Sequence, residues 1–199
     1  MKKILIQFAH PAFHKSRINK ELLKDIELID GVTLRNLYEE YPNFHIDVKY
    51  EQQLLVEHDI LIWHHPFYWY SAPSLLKEWI DLVLEHNFAF GKNGTALKGK
   101  LVMSAITAGG SKQAYTKEGY NHCLIHDLLL PFRKTAELCK MKYLPPFVVH
   151  GTHLFDIEKT KKMADDYRKL LISLRDDVFE LKQFGQCRYS NDLLETSKI

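Results

Sequence analysis

The chain has 199 residues, 46% of them hydrophobic and 26% charged, which are the proportions of an ordinary globular protein with a core sized for one domain. A formal net charge of +2 is too small to argue for nucleic acid or a membrane surface as the partner. No apolar run approaches a membrane span, and the first residues, MKKILIQFAHP, lack a long apolar region and a small-x-small cleavage site, so they read as a first strand. Cys123, Cys139 and Cys187 are odd in number and widely spaced; they predict neither a disulfide frame nor a metal site and suit a reducing cytoplasm. The 11 histidines form no metal-binding motif.

Taken in order, the apolar run 4–9 predicts a buried strand, followed by a loop, His10–Ser16. Ile18, Leu22, Leu23, Ile26 and Ile29 recur at helical spacing, with Ser16 as N-cap and Gly31 as terminator. Strand 32–37, an irregular connection 38–47 and a helix 48–57 come next. A third strand, 59–64, runs into PFYWYSAP, and a helix over 74–85 follows, with Ser71 or Ser74 available to cap it. A strand over 100–107 leads to Ala108-Gly109-Gly110-Ser111 and a polar segment. The rest reads as a long helix 121–140, a fifth strand 143–150 and a closing helix 158–181. Residues 1–185 are expected to form one domain, and 186–199 a loosely held polar tail.

Such β-α alternation predicts an α/β fold, a three-layer sandwich around a five-stranded parallel sheet. Its commonest order is the flavodoxin-like 2-1-3-4-5, whose switch point lies between strands 1 and 3. Three loops would then meet at one sheet edge. The first carries Ser16 and Asn19 into a helix N-terminus and suits a phosphate. The second holds Phe67, Tyr68, Trp69 and Tyr70 between Pro66 and Pro73, with backbone N–H groups expected to be free. By itself this loop fits either a planar heteroaromatic ligand or packing against the protein or a second subunit. The third, Thr107 to Gly110, is small enough for a ring to lie on its backbone. Together they describe a site for a mononucleotide with a flat ring, FMN or the FMN half of FAD. His64 and His65 are expected to cap strand 3, and Trp63 and Trp79 to be core or interface residues.

The stretches AHP…SRIN, HPFYWYSAPSLLKEWID, AFG…GTALKGK and TAGG resemble the flavodoxin-like NAD(P)H quinone reductases over Lys3 to about Asp156. The short chain and the LYEEYP…DV segment look most like the ancillary subunit of glutathione-gated potassium efflux systems. The resemblance implies a cytoplasmic homodimer that carries FMN or FAD. It implies two-electron, ping-pong transfer from NAD(P)H through flavin N5 to a quinone bound in the same slot. It further implies docking at the inner face of the membrane on a potassium/proton antiporter, which the subunit would activate. Matched residue by residue, His10, Ser16, Arg17, Ile18 and Asn19 would hold the phosphate and ribityl chain. Pro66 to Tyr70 and Thr107 to Gly110 would hold the ring system. Tyr115 fits the family's assisting tyrosine, as catalyst or lid, and Asn121 stands where the family has its assisting histidine. Two other roles remain open: a regulatory subunit in which flavin is structural or sensing, and a one-electron carrier, which the slightly basic charge and the lack of a Thr-rich phosphate loop disfavour.

Overall fold

The computed structural model of the chain describes residues 1–196, the last two by backbone alone. The strands are β1 (Ile4–Phe8), β2 (Val32–Asn36), β3 (Ile60–Pro66), β4 (Leu101–Ala108), β5 (Lys142–Tyr143) and β6 (Phe147–His150). The helices are α1 (Arg17–Leu23), α2 (Leu37–Glu40), α3 (Val48–Glu57), α4 (Ser74–Val83), α5 (Ile125–Leu128), α6 (Leu130–Leu138), α7 (Ile157–Arg175), α8 (Leu181–Phe184) and α9 (Asn191–Thr196). All strand pairs are parallel, in the order β2-β1-β3-β4-β5, with β6 also beside β4. This is the expected flavodoxin-like arrangement, with its fifth strand broken in two.

The break follows from Pro145-Pro146. Tyr143 pairs with Val102 and Phe147 with Ala105, so three residues stand opposite two. Proline cannot donate to the ladder, and a bulge on an edge strand accommodates it. Proline also divides the helix expected over 121–140: it begins only at Ile125 and is interrupted at Leu129, ahead of Pro131. The first helix stops at Leu23, because Asp25 adopts a left-handed conformation. α4 is capped by neither serine; Pro73 occupies its N-cap position. α7 ends at Arg175, short of 181.

The period-2 alternation of the central strands builds two cores. Ile4, Ile6 and Phe8 of β1 join Ile60, Ile62, Met103 and Phe147 beneath α1 and α7. Leu5, Leu61, Trp63, Val102 and Ile106 face the other way, beneath α3, α4 and α6, with Trp79 packed among them. That second core encloses a carboxylate that periodicity does not reveal. Glu51 on α3 is fully buried. It accepts hydrogen bonds from Gln7 Nε2 (2.5 Å), Tyr41 OH (2.7 Å), Trp79 Nε1 (2.9 Å) and Arg35 (3.1 Å). Four elements are thereby tied to one side chain, and each donor compensates part of the cost of burying the charge.

Of the expected loose tail, residues 186–194 are held against the fold, and 197–199 lie outside the described residues. Ser190 and Leu193 are buried. Ser190 donates through its N–H to Pro146 O (3.0 Å) and through Oγ to Pro145 O (2.6 Å). Asn191 accepts from the Val148 N–H at 2.9 Å and returns a bond to Val148 O at 3.3 Å. The tail thus takes up backbone groups that the bulged edge leaves unpaired, which protects the edge from pairing with another chain.

Three histidines are drawn into the interior. Burial pushes His64 and His65, both fully buried, down to about 3 and about 4, and His150 down to about 4, from an ordinary 6.5. All three are neutral at pH 7. Each therefore contributes stability that is complete above the unfolded-state value and is lost as pH falls toward the folded-state value.

Two outcomes follow. Glu51→Ala leaves Arg35 and the indole N–H of Trp79 without their buried acceptor and is expected to cost about 3–5 kcal/mol in urea unfolding; a loss under about 1 kcal/mol would contradict this role. The melting temperature should be level above about pH 6.5 and fall between about pH 6.5 and 5, before most carboxylates titrate. His64→Gln should flatten that descent, and an unchanged slope would count against the assignment.

Candidate functional site at the carboxyl edge of the sheet

At the carboxyl ends of β1, β3 and β4 lies a cavity of about 510 Å³, within the range of small-molecule sites. Of the residues expected to meet there, it is lined by His10, Ser16, Arg17, Ile18, Asn19, Pro66, Phe67, Tyr68, Thr107 and Gly109.

A buried polar chain sets the positions of these loops. Asn19, 2% exposed, donates through Nδ2 to Ser16 Oγ (3.0 Å) and to Thr107 Oγ1 (3.1 Å). Its Oδ1 lies 3.0 Å from His64 Nε2, whose Nδ1 lies 3.1 Å from Tyr167 OH. Because an amide oxygen only accepts, His64 is the Nε2–H tautomer, and the Tyr167 hydroxyl donates to Nδ1. One amide therefore joins the start of α1 to the ends of β3 and β4, braced from α7. His64 is a hub of the interior and not a strand cap. The Phe67 N–H donates to Thr107 O at 2.8 Å and locks the aromatic loop to β4.

One end of the cavity is polar. Ser16 caps α1 by accepting from the Asn19 N–H (3.2 Å). The N–H groups of Arg17 and Ile18 have no acceptor in the described protein. Lys15 and Arg17 line this end, and the Arg17 guanidinium is held by Phe155 O. His10 accepts from the Ala12 N–H through Nδ1 (3.1 Å), and burial lowers its pKa. The neutral ring then carries its proton on Nε2 as a donor.

The aromatic loop differs from a four-ring wall. Phe67 is buried, and Tyr68 lines the cavity with its ring 5.7 Å from His10. Trp69 and Tyr70 instead form the tip of a tight turn closed by the Ser71 N–H donating to Tyr68 O at 2.9 Å, and Trp69 is 93% exposed. Both have left-handed backbones, φ 50° and 61°. That conformation costs a non-glycine residue about 1–2 kcal/mol. Of the four N–H groups expected to be free, that of Phe67 is used on Thr107 O of β4 and that of Tyr68 on Pro66 O at 3.0 Å. Those of Trp69 and Tyr70 have no acceptor among the described residues.

The remaining candidates stand back from the cavity. Ala108 is buried within β4. Gly110 serves as a close-packing point, since a Cβ there would come 2.9 Å from the Tyr115 ring. Tyr115 is buried between Phe67 and His150, with ring centroids at 6.0 and 5.6 Å. Asn121 accepts from Tyr70 OH at 3.2 Å and so ties the 111–122 segment to the aromatic turn. Sequence reasoning missed a fourth loop, Gly151-Thr152-His153, whose last two residues also line the cavity. The signal was available: this loop leaves the fifth strand at the same sheet edge, and Gly151, at φ 68°, donates to Gly110 O at 2.9 Å.

Comparison with known proteins agrees with this fold. The family model described as flavodoxin-like fold matches residues 2–171. The glutathione-regulated potassium-efflux system ancillary protein KefF of Enterobacter sp. strain 638 is 43% identical over 169 residues, 85% of this chain and 95% of that one. The crystal structure of general stress protein 14 from Treponema denticola, in complex with FMN, superposes with a TM-score of 0.81 at 36% identity, covering 86% of this chain and 99% of that one. An NADPH-quinone reductase structure from P. pentosaceus gives a TM-score of 0.77 at 32% identity, covering 84% and 96%. By sequence and by structure, the chain belongs to the flavodoxin-like fold family.

Proposed function

We propose that the chain is a flavin-dependent NAD(P)H:quinone oxidoreductase with FMN in the cavity at the carboxyl edge of the sheet. The observation that carries this reading is the pairing of a donor-rich polar end with an adjoining strained turn whose Trp69 and Tyr70 N–H groups have no acceptor among the described residues, beside rather than within the cavity lining. A phosphate fits the first, which is lined by Lys15, Ser16, Arg17 and Ile18: the unused N–H groups of Arg17 and Ile18, the Ser16 hydroxyl and the charge of Lys15 are available there, while the Arg17 guanidinium is held on Phe155 O. A flat ring with acceptors on its rim fits the second, lying against Tyr68 and over Gly109, where an added Cβ would meet only His153, at 3.9 Å. Support also comes from the FMN complex of a relative 36% identical and from the quinone-reductase name of another.

Bound there, FMN would supply two-electron redox chemistry between a nicotinamide and a quinone, and the protein's task would be to hold and orient it. Tyr68 and Gly109 set the plane of the ring. His10, neutral at pH 7, donates through Nε2 without adding a charge. Asn121, through Tyr70, holds the 111–122 segment against the aromatic turn, and Tyr115 supports Phe67 from behind. A twofold contact between copies would shelter the open side of the ring and the exposed Trp69, and so shape the substrate slot.

A second reading is compatible with the first. Relatives named as potassium-efflux ancillary proteins are 43–44% identical over 85% of this chain. Among the described residues no helix is long and apolar enough to cross a membrane. A cytoplasmic protein that docks on an antiporter from the inner face fits both facts.

The reading is tested by following NADH and NADPH consumption by the FMN-loaded chain with and without a benzoquinone. Oxidation that depends on quinone, with parallel lines in double-reciprocal plots, is expected. No quinone-dependent oxidation with either nucleotide would refute the enzyme, and co-purification with an antiporter would then favour the regulatory reading.

A further inference from the structure

A second cavity, of about 570 Å³, lies away from the flavin-type site and shares no lining residue with it. Its floor is the bulged edge at Tyr143–Pro146 together with Leu129, and its outer wall is the segment carrying Leu181, Phe184 and Arg188. The family model ends at residue 171, so that wall lies outside what the family shares. The wall is firmly attached: Arg188 O accepts from His126 Nε2 (2.7 Å), and Ser190 is anchored on both prolines of the bulge.

The walls are largely aliphatic and aromatic. The charged groups are Arg133, Lys142 and Arg188, and no carboxylate lines the cavity. Among the described residues neither Lys142 nor Arg188 forms an ion pair, although the Arg188 guanidinium lies 5.8 Å from the centre of the Tyr189 ring, and Arg133 has a loose one, Nε to Glu137 Oε1 at 3.7 Å, on a carboxylate that Lys134 holds at 2.6 Å. Three cations around an apolar hollow select against neutral hydrocarbon and against small inorganic anions. The former offers no carboxylate to Lys142 and Arg188, and the latter leaves the apolar walls wet.

We propose that this cavity binds an amphipathic monocarboxylate, its chain against Leu129, Leu181 and Phe184 and its carboxylate among Arg133, Lys142 and Arg188. Guanidinium groups match the fork of a carboxylate, and the apolar body supplies area burial. Because its outer wall is built by the segment beyond residue 171, the site would be a property of this chain and not of the family at large.

Calorimetric titration of the flavin-loaded 199-residue chain with decanoate, decanol and inorganic phosphate tests this. Decanoate is expected to bind at one site per chain with a dissociation constant below about 1 mM, and decanol and phosphate at least tenfold more weakly. The double variant Lys142→Ala/Arg188→Ala should weaken decanoate at least tenfold, and Leu181→Trp, at a half-exposed position, should block it, with flavin retained in both. No saturable decanoate binding, equal binding of decanol, or unchanged binding by the charge variant would each overturn the proposal. So would sedimentation showing that a second copy occupies this face and that Arg188→Glu disperses it.

Discussion

One buried amide decides whether this sheet edge can be a site. Asn19 satisfies the Ser16 and Thr107 hydroxyls with its nitrogen and is held by His64 with its oxygen. Without it, the loops would keep the Phe67–Thr107 backbone bond and the side-chain contacts His10–Tyr68, Phe67–Tyr115 and Tyr70–Asn121, but no buried polar tie between the start of α1 and the ends of β3 and β4. In the dry interior each of these bonds is electrostatically stronger than in water, and each leaves a costly orphan if broken. The cost of burying His64 is the other side of the arrangement. The ring stays neutral, and so remains an Nε2–H donor toward Asn19, because burial suppresses its protonation.

Strain is concentrated where the polar chain ends. A tight turn with two left-handed central residues is ordinarily supplied by Asn-Gly or by glycine. Here Trp69 and Tyr70 occupy those positions. The turn is held by the Tyr68–Ser71 bond, by Phe67 beneath it and by the Tyr70–Asn121 bond across to the next loop. Backbone strain kept in place by its surroundings is characteristic of sites that present backbone donors to a ligand. The two N–H groups it leaves over are therefore the most informative atoms of the loop.

Much of this was legible from residue order. Continuous apolar runs identified the parallel strands, Ser16 announced the first helix, and topology brought the three loops to one edge. What escaped had physical causes. Prolines at 131, 145 and 146 interrupt elements whose hydrophobic pattern continues across them, so periodicity overstated their length. Glu51 and His64 read as polar residues on ordinary elements, because a buried polar group is defined by partners distant in sequence, such as Trp79 and Asn19. The segment after 185 looked loose on composition. Its hold on the fold comes from Ser190 and Asn191, which pair with backbone groups that a sequence does not display. The reach of each aromatic in PFYWY was likewise hidden, since the turn at Trp69-Tyr70 sends two rings away from the cavity.

The most direct measurement of the central claim is an FMN fluorescence-quenching titration of the flavin-free chain beside its Asn19→Ala variant, with circular dichroism to show that both are folded. The account predicts one FMN per wild-type chain and an affinity at least tenfold lower in the variant, equal to about 1.4 kcal/mol or more. A wild-type chain that binds no FMN, or a folded variant that binds it as tightly as wild type, would contradict it.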